Sequence, residues 1–140
     1  MNANDDTRAK EQAKVQLESV VEMLTAYDKA EKEGQAEYNG EDMNADDMRE
    51  AIEQDALSVE VRTDWRTPGG EDDKPTEYKI TLCTGGPAVR IVGDLSEHGE
   101  PEGAVLQYQD WGTPWTDYRE TSGEEDAALL RYAGFFYFGG

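Results

Sequence analysis

The sequence predicts an α+β fold: a two-layer sandwich in which helices cover one face of a four-stranded antiparallel meander, in the order ααββββα. The apolar residues recur with a helical period up to residue 56 and with the strand period of two beyond it. Short, glycine-containing connections between the later segments favour antiparallel neighbours. A chain of 140 residues suits one core. We therefore predict one domain over residues 1–140, with a long helix at 7–33 and an α+β body over 44–140.

Two amphipathic helices are predicted in the first part of the chain. In residues 7–33 the apolar side chains lie three and four positions apart, and Gly34 follows the last turn. Residues 35–43 are mostly polar and are predicted to be a connection. Asn44 precedes a shorter helix that runs to about Asp55, and its side chain is suited to cap the first amides.

Four strands and a last helix follow. Apolar and polar residues alternate from Leu57 to Trp65, which predicts a strand with one buried face. After a turn-rich acidic loop at 67–75, similar alternation predicts strands at 78–82, 88–95 and 104–108. Ser122 and Glu125 form a capping-box pattern ahead of a helix that is predicted to reach Phe136.

The composition is strongly acidic throughout, with 32 acids, 13 bases and a net charge of -19. Residues 1–56 hold 16 acids and 6 bases, and residues 57–140 hold 16 acids and 7 bases. Such a chain repels nucleic acid and anionic membranes, so direct binding to either is not predicted. It has one cysteine, no apolar run long enough to cross a bilayer and no secretory signal pattern, which together indicate a soluble cytoplasmic protein.

Enzymatic chemistry is poorly supported by the residues. Cys83 and His98 are the single cysteine and histidine, and they are too few for a zinc site. No phosphate-binding glycine loop precedes a helix, so no cofactor is predicted. Asp42, Asn44, Asp46 and Glu53 have the spacing of a calcium loop, but Asp47 stands where that loop needs glycine. We therefore predict no catalytic residue, no metal site and a non-enzymatic protein.

Ten acids and only two bases lie between Glu31 and Asp55. Asp46, Glu50 and Glu53 are each one helical turn apart and should form one exposed row. This density predicts a surface that mimics nucleic acid and binds a basic nucleic-acid-binding protein. The predicted partner-binding acids are Glu37, Glu41, Asp42, Asp46, Asp47, Glu50 and Glu53.

Trp111 and Trp115 flank Gly112 and Pro114, which interrupt regular structure. Both rings could cover an end of the core, or one could remain exposed as an interface anchor, because tryptophan is enriched at binding hot spots. We predict that one ring packs against the sheet and the last helix while the other lies near a partner surface.

Two segments carry a resemblance to known proteins. LCTGGPAVRI at 82–91 and YQDWGTPW at 108–115 resemble segments of small acidic proteins encoded by bacteriophages, prophages and other mobile elements, over about residues 44–138. The resemblance implies a bacterial host cell, where small acidic proteins block the DNA-binding surfaces of restriction or CRISPR effectors. It transfers no functional residue.

Two functions therefore follow from the sequence. The first is an anti-CRISPR or antirestriction inhibitor that acts through its acidic face as a DNA mimic. The alternative is a salt-adapted or phage structural or assembly protein whose acidic surface is only solvated. The sequence leaves both a monomer and a dimer open.

Overall fold

The computed structural model describes residues 7–65, 67–69 and 74–138, so part of the predicted acidic loop lies outside the described residues. The α+β class is confirmed. Within the described residues there are three helices: α1 Thr7–Glu33, α2 Ala45–Asp55 and α3 Gly123–Ala133. The strands are β1 Ala36–Tyr38, β2 Glu41–Met43, β3 Ser58–Arg62, β4 Glu77–Cys83, β5 Ala88–Asp94, β6 Val105–Gln109 and β7 Thr116–Asp117.

The main sheet is an antiparallel meander in the order β3-β4-β5-β6-β7. The predicted four strands are all present, but the predicted number and element order are wrong because β7 adds a fifth strand. It consists of Thr116 and Asp117, which pair with Tyr108 and Gln107. A strand of two residues is too short to show an alternating pattern, so its pairing with β6 is what defines it.

A second error concerns residues 35–43, which form the β1–β2 hairpin rather than an irregular connection. Asn39 and Gly40 have φ values of 52° and 82°. Two consecutive positive φ values are typical of the tight type I′ turn, and Asn-Gly is its commonest sequence. The Asn39-Gly40 dipeptide is the sequence signal for this hairpin. Strands of three residues are too short to show an alternating pattern that would have supported the prediction of a hairpin.

The helical layer lies on one face of the sheet and is centred on α1, which contacts β5 and β6 while α2 and α3 pack against it. Ile80, Ile91 and Leu106 lie opposite one another on adjacent strands and are all buried beneath this layer. The side chains that alternate with them, such as Arg90 and Gln107, point to the other face. None of the three helices in the described part of the chain lies on that second face.

Strand β3 departs from the predicted pattern, because every one of its residues is exposed. Val59 and Val61 lie on the helical side of the sheet, opposite the buried Ile80 and Tyr78. The predicted alternation is present, but the predicted burial is wrong. β3 is an edge strand beyond the helical layer, so its valines stay exposed although their alternating pattern is that of a half-buried strand.

The C-terminal aromatic run starts after α3, which ends at Ala133 instead of at the predicted Phe136. Gly134 is the C-cap of α3. Beyond it the N–H groups of Phe135 and Phe136 donate to carbonyls only three residues back, a tighter turn in which the α-helix ends. Phe138 is buried and its ring lies 4.8 Å from that of Tyr78, measured between centroids. Phe135 and Phe136 are half-buried against the core, so three of the four rings at 135–138 pack inward.

Gly93 in β5 provides a test of this packing. A Cβ atom there would overlap the Gly103 carbonyl oxygen and the ring of Tyr78, its cross-strand partner. We expect Gly93→Ala to lower the free energy of unfolding by about 1–3 kcal/mol through overpacking, as measured by urea denaturation. Gly123→Ala is the matched control, since its new methyl group meets no atom within 4 Å. Equal effects of the two substitutions would contradict the assigned contact.

Candidate partner-binding surface

The acidic segment, defined here as residues 34–56, carries eight acids and one base. It comprises the β1–β2 hairpin and α2, both of which pack against α1. Seven of its carboxylates are exposed, and these are the seven acids predicted from the sequence: Glu37, Glu41, Asp42, Asp46, Asp47, Glu50 and Glu53. The eighth, Asp55, is half-buried and accepts a hydrogen bond of 2.7 Å from the Tyr132 hydroxyl.

A capping box fixes where α2 begins. The Asn44 side chain accepts from the Asp47 N–H at 2.8 Å, and the Asp47 carboxylate accepts from the Asn44 N–H at 3.2 Å. Met48 and Ile52 are fully buried against the core. Because helical faces alternate with a period of 3.6 residues, Asp46, Glu50 and Glu53 project outward in one row.

The hairpin and α2 enclose a shallow groove of about 310 Å³. Glu41 and Asp42 line it from β2, and Asp47 and Glu50 line it from α2. The tertiary structure therefore places carboxylates on both sides of one depression. The sequence predicted these acids as partner-binding residues. It did not predict that those of β2 and α2 face each other across a groove, because it did not predict the β1–β2 hairpin.

Arg49, the single base of the acidic segment, is directed away from these carboxylates. Its guanidinium carbon lies 5.5 Å from the ring centroid of Tyr27 and 5.1 Å from that of Phe135. One of its nitrogens also donates to the Tyr27 hydroxyl at 2.9 Å. This cation–π and hydrogen-bonded position holds the positive charge against α1 and the C-terminal run.

The exposed carboxylates of the acidic segment take part in none of the ion pairs found among the described residues. Three bases of α1 and α3 are paired elsewhere: Arg131 with Asp28, Lys10 with Glu120 and Arg8 with Asp110. Lys29 of α1 lines a depression together with Glu37 but forms no ion pair with it among the described residues. Carboxylates that form no ion pair are neutralised less than paired ones, so the row on α2 contributes strongly to the negative field of this surface.

A second acidic depression lies between α1 and α3 and was not predicted. Glu18 and Glu22 line it from α1, and Glu124 and Glu125 line it from α3. These residues are about one hundred positions apart in the sequence, so only helix packing brings them together. Glu22 also lines a depression beside the hairpin with Glu37, and Lys29 of α1 lies in the same depression.

The two predicted tryptophans lie in different environments. Trp111 is 81% exposed, whereas Trp115 is half-buried, with the Arg90 guanidinium 3.9 Å from its ring centroid. Since Arg90 points to the face of the sheet away from the described helices, Trp115 packs on the opposite side from α3. One ring is indeed packed and the other exposed, but the predicted contact with the last helix is wrong.

The tryptophans are also remote from the acidic segment. Asp110 holds the Trp111 loop to Arg8, in the first turn of α1, through bonds of 3.0 and 3.2 Å. Arg49 holds α2 to Tyr27, nineteen residues further along the same helix. At 1.5 Å per residue these attachments are about 28 Å apart. The predicted site residues therefore form two separate groups.

Tyr137 is an exposed aromatic residue outside the set of predicted partner-binding residues. It is 85% exposed, although it lies in a run whose other rings pack inward. Phe135, two residues earlier, contacts Arg49 of α2. In sequence, Tyr137 lies between Phe135, which contacts α2, and Phe138, which packs on Tyr78 of β4.

The remaining chemical candidates are kept apart by the fold. Cys83 ends β4 opposite Val89, at the start of β5, whereas His98 follows the far end of β5. Burial raises the pKa of the Cys83 thiol, which disfavours the reactive thiolate. Asp42 lies in a strand and Asn44 caps a helix, so the calcium-loop spacing does not form a loop. The described residues contain no group of three or more His, Cys, Asp or Glu side chains suited to a metal ion.

Searches against protein-family models, curated proteins and solved structures found no match to this chain. The resemblance to mobile-element proteins therefore stays a prediction. No helix in the described part of the chain combines the length and apolar character needed to cross a membrane.

Asp110 gives a pH-dependent test of the Trp111 loop. It is 8% exposed, and the Arg8 guanidinium, followed by the Trp111 N–H, holds its pKa below the ordinary value. A carboxylate with a lowered folded-state pKa stabilises fully above its ordinary pKa of about 3.9 and loses that effect as the pH falls through the lowered value. We expect Asp110→Asn to have a lower melting temperature than the wild type at pH 7. At a pH below the lowered pKa of Asp110, the two proteins should have the same melting temperature.

Thermal unfolding of the wild type and of Asp110→Asn, followed by circular dichroism from neutral to acidic pH, measures this difference. Glu11→Gln serves as the control, because Glu11 is an exposed acid of α1. A difference between Asp110→Asn and the wild type that stays constant across the pH range would contradict the assigned role.

Proposed function

We propose that this protein is a non-enzymatic inhibitor that occupies the nucleic-acid-binding groove of a basic host protein with its acidic segment. The observation that carries the proposal is the arrangement of charge in residues 34–56. Seven exposed carboxylates face solvent there, while Arg49 is held against aromatic rings. A surface with only one sign of charge is what a groove evolved for phosphates recognises.

The spacing of the acidic row supports mimicry of a nucleic-acid backbone. Asp46, Glu50 and Glu53 rise along α2 by about 6 Å and then about 4.5 Å, at 1.5 Å per residue. One strand of duplex DNA carries a phosphate about every 3.4 Å along its axis. The charge density of the row is thus about two-thirds of that of one DNA strand. Glu41 and Asp42, across the groove, supply a second line of charge.

Rigidity adds to this complementarity. The capping box fixes the first turn of α2, and buried Met48 and Ile52 fix its orientation on the core. Because the helix is already fixed, little backbone entropy is lost when a basic partner binds its carboxylates. The field of a chain with a net charge of -19 would also accelerate the encounter with a positive groove.

The class of host protein follows from the resemblance to small acidic proteins of phages and mobile elements. On that basis we propose a restriction or CRISPR effector in the bacterial cytoplasm as the target. Tyr137 is a candidate apolar anchor, since tyrosine is enriched at binding hot spots and its ring is exposed.

The test compares two variants with the same change in net charge. Asp46→Asn/Glu50→Gln/Glu53→Gln removes three charges from the acidic row. Glu97→Gln/Glu100→Gln/Glu102→Gln removes three exposed charges from the loop between β5 and β6. Each protein is immobilised and exposed to a nuclease-treated bacterial lysate, and retained proteins are eluted with duplex DNA or by raising the salt.

We expect the wild type and the loop variant to retain a nucleic-acid-binding protein that duplex DNA displaces. The acidic-row variant should retain at least about tenfold less of it, corresponding to about 1.4 kcal/mol. Equal retention by all three folded proteins would contradict the acidic segment as the binding surface. An equal loss in both variants would indicate a general charge effect and would favour the alternative of a solvated acidic surface.

A further inference from the structure

We propose that the exposed edge of β3 pairs with β3 of a second copy of this chain, forming a two-fold symmetric dimer with a continuous ten-stranded sheet. This inference does not rest on the proposed function. It starts from an apolar patch that the helical layer leaves uncovered. Val59 and Val61 are 37% and 45% exposed, and Leu57 and Trp65, which flank the strand, are 62% and 103% exposed.

Strand β3 is also the open edge of the meander, since it pairs only with β4 among the described strands. An edge strand presents backbone N–H and C=O groups that have no partner in the sheet, and a second strand can pair with them. The other edge, β7, has only two residues. Of the two edges, β3 alone combines length with exposed apolar side chains.

The charges of β3 indicate that the strand that pairs with its open edge is β3 of a second copy. Glu60 and Arg62 lie on the face of the sheet opposite the valines. In an antiparallel pair centred on Val61 of both copies, Glu60 of each chain lies opposite Arg62 of the other. Residues directly opposite each other on adjacent strands interact most strongly. Two symmetric Glu–Arg pairs would therefore form across the axis.

This pairing continues ion pairs that already exist within each chain. Lys79 of β4 lies 3.3 Å from Glu60, and Arg62 binds the Glu77 carboxylate at 2.8 and 3.1 Å. Across the dimer interface, four charged side chains would lie side by side on four neighbouring strands. They are Lys79 and Glu60 of one chain, followed by Arg62 and Glu77 of the second copy. Charges of opposite sign alternate through four strands, and the two-fold axis repeats the row.

Other registers lose this complementarity. Pairing centred on Glu60 places two glutamates opposite each other, and pairing centred on Arg62 places Glu60 opposite Asp64. A shift by one residue puts the valines of one copy on the charged face of the other. In the register centred on Val61, Leu57 lies opposite Trp65 of the second copy, so the exposed apolar residues cover one another.

The net charge gives the dimer a distinctive salt dependence. Two chains with charges of -19 repel each other, and added salt screens that repulsion while leaving apolar burial in place. Dimerisation should therefore strengthen as the salt concentration rises. Binding of a basic partner by the acidic segment should weaken under the same change, so the two proposals fail or succeed separately.

Sedimentation velocity of the purified chain over a range of protein concentrations, at low and high sodium chloride, tests the inference. We expect a monomer–dimer equilibrium that shifts toward the dimer at high salt. Val61→Lys places two like charges opposite each other at the axis and should raise the dissociation constant by about tenfold or more. Val105→Lys is the matched control, because Val105 is similarly exposed but lies on β6, inside the sheet.

The register is tested by cross-linking in a Cys83→Ser background with a short bismaleimide. Val61→Cys should cross-link to itself, whereas Val59→Cys, which lies opposite Thr63 of the second copy, should do so much less. A chain that stays monomeric at every concentration and salt level overturns the inference, even if β3 then captures a strand from another protein. Stronger cross-linking at position 59 than at 61 overturns the register.

Discussion

Every part of this structure depends on the burial of α1 from several sides. The sheet, α2, α3 and the hairpin all contact this 27-residue helix. Its buried positions include Ala9, Ala13, Ala26 and Ala30. Small side chains let neighbouring elements approach the helix closely, which allows one helix to organise four neighbours. The acidic segment has its orientation only because α2 and the hairpin are packed on α1.

The same helix determines how the few bases are used. Arg8 binds Asp110 at one end of α1, Arg131 binds Asp28 near the other, and Arg49 lies on the ring of Tyr27. These contacts tie the loop after β6, α3 and α2 to one element. A chain with this net charge opposes its own compact state. Placing the bases at the joints between elements stabilises the fold and leaves the exposed row of α2 without an ion pair among the described residues.

The two interaction surfaces proposed for this protein differ in their physics. The acidic segment offers charge on a rigid helix and depends on long-range attraction. The β3 edge offers backbone hydrogen bonds, valines and paired charges of both signs. Apolar and backbone contacts act only at short range. A dimer through β3 would leave the acidic row of each copy free to meet a partner.

The sequence by itself determined the local structure wherever a long periodic pattern or a cap was present. It predicted α1, the Asn44 cap of α2, the Ser122 cap of α3 and the central strands, because these features arise from residues a few positions apart. It also predicted that Asp46, Glu50 and Glu53 form one exposed row on α2. The α1–α3 acidic depression, by contrast, required residues about one hundred positions apart to meet. Nothing in a local pattern encodes such a contact.

Tertiary structure also decided which apolar residues are buried. Val59 and Ile80 have the same alternating sequence context and lie opposite each other, yet only Ile80 lies beneath the helical layer. Trp111 and Trp115 share one short segment, and Arg90, on a neighbouring part of the sheet, covers only one of them. Alternation specifies the face on which a side chain lies. Whether that face is covered depends on where the helices end, which is set by packing across the whole chain.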